Sequence, residues 1–460
     1  MGHMYHGYIV DTCRIPVLSG VQYSRLINHF LRVGMTYFIA GQRPGLFRKI
    51  VFSGLLTVAI STLNVTWAIE AHEAEKLQLN DHLTLSSLLD ITLKRHPHAG
   101  VLTARAASID AETKYAKRWL PDTTSLTGFH MSDRAFDDIG AYENEVALSF
   151  PLWLPGEKKA QTRLGEVLNI ARASDEAEFR WRVSGHLRQQ LWELKLAARQ
   201  WELGLEQEQR LAGVLAQVTL FAEAGELSRA DQLATMEELA IWKGETMLLE
   251  AEYMDAIRLY RSTTGLETVP SIIEEPLSEL QEIGQEHPAL LQAINHVAES
   301  SATTQVIRER SNLRPSLDVF WRDFSGDRRS PDVDALGIGF AMPIGKSPRR
   351  DPEVAKAYEA FAMAEAELLE TRRALELQLH EANHVLHTTR ERLENSDTIV
   401  KAATERHELD KLAFELGEFS THEWLRRLSR FKEIERSHEL LLIQQGAAIA
   451  AYNQAVGESL

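Results

Sequence analysis

Two stretches of this sequence put charge at matching places. Residues 224–231 read AGELSRAD and residues 416–423 read LGEFSTHE; each carries a Gly-Glu step and an acid six residues after the glycine, Asp231 after Gly225 and Glu423 after Gly417. Carboxylates and the chain's 17 histidines could serve general acid–base catalysis, metal ligation or the attraction of cations. Catalysis finds no support. There is no glycine-rich phosphate loop, no HExxH, no nucleophile elbow and no pair of carboxylates that the sequence brings together, so the chain is read as a non-enzyme with no cofactor. His96 and His98 stand close enough to suggest a metal, yet His-Pro recurs at His96-Pro97 and His287-Pro288. A residue before proline is pushed out of helical geometry, so a helix-limiting step explains both pairs more economically, and no metal ligand is assigned.

The composition narrows the partners. With 66 acidic against 50 basic residues the formal net charge is -16, which excludes nucleic acid as the main partner. The single cysteine, Cys13, permits neither an internal disulfide framework nor a thiolate metal site.

The spacing of the two glycines, 192 residues, is the period of the chain. Pro151 and Pro343 repeat it, as do Gly265 and Gly457; the His-Pro steps lie 191 apart, and Pro121 and Pro315 lie 194 apart. Landmarks in one order at nearly one separation mean a duplicated unit. The expected organisation is an N-terminal extension with signal peptide over 1–68, a first repeat over 69–270 and a second over 276–460. The signal reading rests on Arg43, Arg48 and Lys49 ahead of the apolar run 50–63, with Thr66 and Ala68 at the small-residue positions before cleavage. A membrane anchor is the alternative, but about 14 apolar residues fall short of the roughly 20 a spanning helix needs. Met1 and Met35 both remain possible starts.

The elements that would carry the two glycines are long helices. Proline is absent from 156 to 269 and from 353 to the end, which permits uninterrupted helix. Leu187, Leu194, Trp201 and Leu215 fall on a seven-residue grid with Leu191, Ala198 and Leu205 between, and Leu379, Leu386, Leu393, Val400 and Phe414 continue it in the second repeat. Glu208 and His407 interrupt that stripe as solvent-reaching or register-setting residues. Leu191 and Leu386 are expected to seal helical seams against neighbouring chains. Each Gly-Glu step is then the turn between antiparallel helices, one of them about 100 Å long at roughly 1.5 Å per residue.

Between the prolines the period changes to two. Tyr142, Val146, Leu148 and Phe150 alternate with polar or small residues, and DTTSLTGFHM precedes them across a turn-rich segment. RPSLDVFWRDF and ALGIGFAMPI form a second such pair. Four strands of about ten residues, apolar on one face, with Phe129, Tyr142, Trp153, Phe320 and Trp321 near their ends, suit a transmembrane barrel. Four strands cannot close one, so other copies of the chain must.

Over about residues 80–460 the chain resembles the TolC family of outer-membrane efflux ducts. The resemblance is carried by LTLSSLLDITLKRHP, WLPDTTSL, LSFPLWLPGEKKAQ, AGELSRADQLATMEEL and their counterparts about 192 residues on. It implies a mainly α chain with a small β part: a homotrimer whose twelve strands form one barrel in the outer membrane of a Gram-negative bacterium, continued by a coiled-coil helical duct across the periplasm. Its tips would dock a periplasmic adaptor linked to an inner-membrane pump, of the RND type. The resemblance assigns Gly225, Leu227, Gly417 and Phe419 to adaptor docking, and Asp231, Glu423 and Arg426 to the periplasmic gate. Where the family pattern has a second acid three residues after Glu423, this chain has Arg426, which either pairs with Glu423 and latches the tip or points outward. LPGEKKAQ resembles the junction of heavy-metal-exporting, CzcC-like members but departs from it at Glu157. The cargo, small molecule or metal cation, is left open. A periplasmic coiled-coil scaffold without channel activity is the alternative; it has no use for four alternating strands.

Overall fold

A computed structural model describes residues 76–310, 314–344, 350–416, 418 and 420–460. The extension and signal segment expected over 1–68 lie outside the described residues. Three elements open the chain: strand β1 (Gln78–Asn80), helix α1 (Leu85–Arg95) and helix α2 (His98–Ala116). The His96-Pro97 step separates the two helices, with His96 extended at φ -63°, ψ 135°, as a pre-proline residue must be. Strands β2 (Ser125–Ser132) and β3 (Tyr142–Pro151) follow, then helices α3 (Glu157–Glu223) and α4 (Arg229–Thr264) and the short strand β4 (Thr268–Pro270). The second half gives helix α5 (Pro288–Glu309), strands β5 (Ser316–Ser325) and β6 (Val333–Ala341), and helices α6 (Arg350–Glu415) and α7 (Thr421–Ala455). From α2 onward, helix, two strands, long helix and shorter helix thus occur twice. The 67 residues of α3 reach about 100 Å at roughly 1.5 Å per residue.

The four longer strands form one antiparallel sheet in the order β2-β3-β5-β6. Its centre is the β3–β5 ladder, and its free edges are β2 and β6. Registers Leu148↔Val319, Val146↔Trp321, Val319↔Ile338 and Trp321↔Leu336 place all of these side chains on one face. Leu126, paired with Leu148, extends it. Glu143, Glu145, Ser149, Asp318 and Arg322 fall on the other face, where Arg322 lies 2.6 Å from Glu145 and 3.1 Å from Glu143. The apolar face is bare: Leu336 and Ile338 are 79% and 76% exposed. Aromatic side chains divide between the faces, with Trp321 on the apolar one and Phe320 on the polar one. Phe320 lies across Gly337, where an added Cβ would come within 2.3 Å of its ring, so only glycine leaves that ring room.

Strands β1 and β4 pair in parallel as a small separate sheet. It helps to cover one side of α3, where Leu187, Leu191, Leu194 and Trp201 pack with Leu88 and Leu89 of α1 and with Tyr253, Ile257 and Tyr260 of α4. Arg188, 4% exposed, fastens this layer. Its guanidinium donates to Glu275 at 2.9 and 2.6 Å, to Gln454 at 2.6 Å and to the Glu458 carbonyl at 2.7 Å.

The heptad grid marks interior positions, but it does not seal chains together at the leucines named for that task. Leu191 lies within the chain's own core, and Leu386 packs with Ala448, Tyr452 and Val456 of the α6–α7 region. Apolar side chains left exposed lie elsewhere, at Leu377, Leu409 and Leu412 on α6 and at Ile241, Met247 and Leu248 on α4. A two-helix hairpin buries its own grid positions first, so these apolar residues off the grid stay exposed. No helix among the described residues is long and apolar enough to cross a membrane.

Candidate functional site at the helical tips

The α3–α4 tip is closed by backbone chemistry. Helix α3 ends at Glu223, and Gly225 turns the chain at φ +81°, a left-handed value that costs an ordinary side chain roughly 1–2 kcal/mol. The Glu226 amide donates to the Phe221 carbonyl at 2.8 Å, and Leu227 follows it to the same oxygen at 3.3 Å. Ser228 caps α4. Its hydroxyl accepts from the Asp231 amide at 3.2 Å and donates to the Asp231 carboxylate at 2.7 Å, and that carboxylate also accepts from the Ser228 amide at 3.1 Å. Asp231 is therefore the acid of a capping box, engaged with its own turn. Across the hairpin Gln232 donates to Thr219 at 3.0 Å.

The α6–α7 tip is closed by charge. Gly417 and Phe419 lie outside the described residues, but both helix ends are defined. The Ser420 hydroxyl accepts from the Glu423 amide at 3.3 Å. Two arginines then take up the Glu423 carboxylate: Arg426 at 3.0 Å and Arg427 at 2.9 Å. Of the alternatives for Arg426, the i,i+3 pair is present, although its side chain is 73% exposed. Arg427 reaches further, donating at 2.6 Å to Asp410 on the opposite helix, where Arg406 stands 3.8 Å away. Arg427, then Arg426, hold the Glu423 carboxyl below the usual glutamate range.

Sequence reasoning missed Arg427 and Asp410. Arg427 was accessible as the i+4 partner of Glu423, and Asp410 as the residue about as far before the turn as Arg427 lies after it, since an antiparallel hairpin brings such positions together.

Behind this clamp runs an aromatic column. His407 stacks on Phe431 with centroids 4.3 Å apart and planes 5° apart, and on Trp424 at 5.4 Å and 17°; Trp424 in turn stacks on Phe414 at 5.3 Å and 9°. His407 is thus packed between aromatic rings rather than reaching for solvent. The two tips share a cavity of about 230 Å³ bordered by Leu227 and Asp231 from one hairpin and Leu425 and Arg426 from the other. Of the gate residues named from the sequence, Asp231 and Arg426 thus border one groove, while Glu423 belongs to the clamp.

The strand-to-helix junction explains the departure at Glu157. This acid, 2% exposed at the start of α3, receives both guanidinium arms of Arg314, at 2.8 and 3.0 Å, and accepts from the Leu154 amide at 3.3 Å. No group of three or more histidine, cysteine or acidic side chains able to hold a metal ion occurs among the described residues.

No family model and no curated protein matches the sequence. Solved structures do match the fold. A membrane protein from Pseudomonas aeruginosa is 16% identical, with a TM-score of 0.61 over 84% of this chain and 98% of its own. The outer membrane protein VceC from Vibrio cholerae is 13% identical, with a TM-score of 0.64 over 82% and 96%. The CmeC outer membrane channel of Campylobacter jejuni is 14% identical, with a TM-score of 0.62 over 90% and 94%. The chain has the fold of these membrane proteins across nearly their whole length.

Proposed function

We propose that this chain is a TolC-family outer-membrane duct: a passive, non-enzymatic channel through which a tripartite efflux system exports small molecules or metal cations. One observation carries the reading. A four-stranded sheet with one bare apolar face, one charged face and two unpaired edges stands at the head of helices about 100 Å long. In lipid an open edge leaves backbone groups unsatisfied at several kcal/mol each, so the sheet has to be completed by further copies. Three copies supply twelve strands and a barrel with a polar lumen, and the helices continue it into the periplasm of a Gram-negative cell. The two internal repeats, 69–270 and 276–460, follow a signal-bearing segment over 1–68.

The tips dock the periplasmic adaptor, through Gly225, Leu227, Gly417 and Phe419, and the adaptor couples the duct to an inner-membrane pump of the RND type. The groove bordered by Leu227 and Arg426 supports docking between the hairpins. Gating belongs to Glu423 and Arg426 with Arg427 and Asp410, while Asp231 contributes through its capped turn. The Glu157–Arg314 pair gives no support to a heavy-metal subgroup, and the cargo follows the pump.

Fractionation tests the proposal. A heat-resistant oligomer extracted from outer membranes by detergent, conducting in planar bilayers, is expected; a protein fully soluble without detergent and inactive in bilayers would favour a coiled-coil scaffold.

A further inference from the structure

The core of α3 and its exposed stripe lie on opposite sides of one helix. Leu187, Leu191 and Leu194 are buried under α1, α4 and the segment around Ile273. At 100° per residue, Arg182, His186, Gln189 and Glu193 point the other way, and all four are exposed. Granting the duct reading, the added layer of α1 and the small sheet has to lie outside, because inside it would plug the channel. The stripe therefore lines the lumen.

Two cavities follow this stripe and share Arg182. The upper, of about 390 Å³, takes in His98 and Arg105 from α2, Asp175 and Glu178 from α3, and His296 and Glu299 from α5. The lower, of about 650 Å³, takes in His186 and Glu193 from α3 and Glu381 from α6. The charged groups face one another closely. Arg105 pairs with Glu299 and stands 3.6 Å from Asp175; Arg182 stands 3.4 Å from Glu178; His296 stands 3.5 Å from Glu367 of α6. His98 meets the ring of His96 at 5.5 Å, and charge on His98 would be felt by Glu178, as charge on His186 would be by His96. Arg188, which also borders the lower cavity, is neutralised by Glu275.

Six carboxylates, Asp175, Glu178, Glu193, Glu299, Glu367 and Glu381, thus oppose two arginines, Arg105 and Arg182, a balance of -4 per chain (2 - 6) with the histidines neutral. Protonating His98, His186 and His296 reduces it to -1 (-4 + 3). We propose that this histidine–carboxylate stripe is a cation-selective collar of the duct, and that mild acid discharges it. Repeated in three chains, its field acts on every ion that passes, and histidine is the side chain whose ordinary titration falls in the pH 5–8 range. Two local shifts fit the arrangement. Burial, with His98, Arg182 and His186 close by, holds the His96 imidazole below its ordinary value; burial raises the Glu178 carboxyl.

The test is the reversal potential of purified channels in planar bilayers under a potassium chloride gradient, at pH 7.5 and pH 5.5. For the parent, the cation-to-anion permeability ratio should fall by about threefold between the two, in line with the lost charge. The triple variant His98→Gln, His186→Gln, His296→Gln should keep the parent's ratio at pH 7.5 and lose the pH response. Glu193→Gln with Glu381→Gln should lower the ratio at pH 7.5 and keep the response. A parent ratio that does not change with pH, or a triple variant that responds as the parent does, overturns the collar. Absence of any conductance from the parent overturns the duct reading beneath it.

Discussion

Replacing Arg188 by Met removes a cation and leaves its acid in place. Arg188 and Glu275 are 4% and 12% exposed, and the same guanidinium serves Gln454 and the Glu458 carbonyl. Methionine fills much of the volume, so the loss is electrostatic more than steric. Breaking a buried pair from one side costs about 3–5 kcal/mol, because the remaining charge has neither water nor partner. At an unfolding entropy of roughly 2.1 cal/mol/K per residue, 4 kcal/mol lowers the melting temperature of a unit of about 380 residues by about 5 °C. The assay is circular-dichroism melting of the detergent-solubilised oligomer, read with its resistance to dissociation in hot detergent. The partner change Glu275→Leu should rescue it: the double variant loses the stranded charge and should recover most of the deficit, giving a coupling of about 2 kcal/mol or more. If Arg188→Met melts within 1 °C of the parent, or if the two changes simply add, the pair does not fasten the outer layer to α3.

Four further tests address other parts. Gly225→Val forces a β-branched residue to φ +81° at a tip remote from the sheet; outer-membrane insertion should persist while export falls, and lost insertion would make the turn a folding element. Arg427→Ala should raise single-channel conductance more than Arg426→Ala does, because only Arg427 reaches Asp410 on the facing helix; equal effects would locate the latch within α7 alone. The Glu423 carboxyl, lowered by these arginines, contributes stability that is present above the ordinary glutamate value of 4.5 and is lost as pH falls through its depressed value, so the conductance difference between the parent and Glu423→Gln should stay constant from pH 8 to 5 and shrink only in stronger acid. Gly337→Val drives a side chain into the Phe320 ring and should reduce the yield of heat-resistant oligomer on gel electrophoresis, with Phe320→Ala restoring it.

The helices and strands were legible because each carries its own period. A stretch of more than a hundred residues without proline beside a seven-residue grid reads as long helix, and strict alternation around Leu148 and Val319 reads as strand. The tip acids were legible as positions and not as roles. Asp231 and Glu423 occupy equivalent places, yet one closes a capping box on Ser228 and the other serves two arginines, because Arg426 and Arg427 follow only in the second repeat. His407 read as an interruption because hydrophobic periodicity counts imidazole as polar, whereas its flat ring stacks between Phe431 and Trp424. The Arg314 partner of Glu157 lies 157 residues away, beyond what local spacing conveys. The histidine–carboxylate cluster was likewise hidden, since it is assembled from four helices.

The sheet's longest ladder does not lie within either hairpin. Ten residue pairs join β3 to β5, against eight in β2–β3 and nine in β5–β6. The strongest seam therefore crosses the proposed duplication, so neither half carries a self-sufficient piece of the wall. Separating the two halves at this seam would expose two more strand edges, those of β3 and β5. A protease cut in the connector at 271–287 should accordingly yield two fragments that stay together and still insert as one.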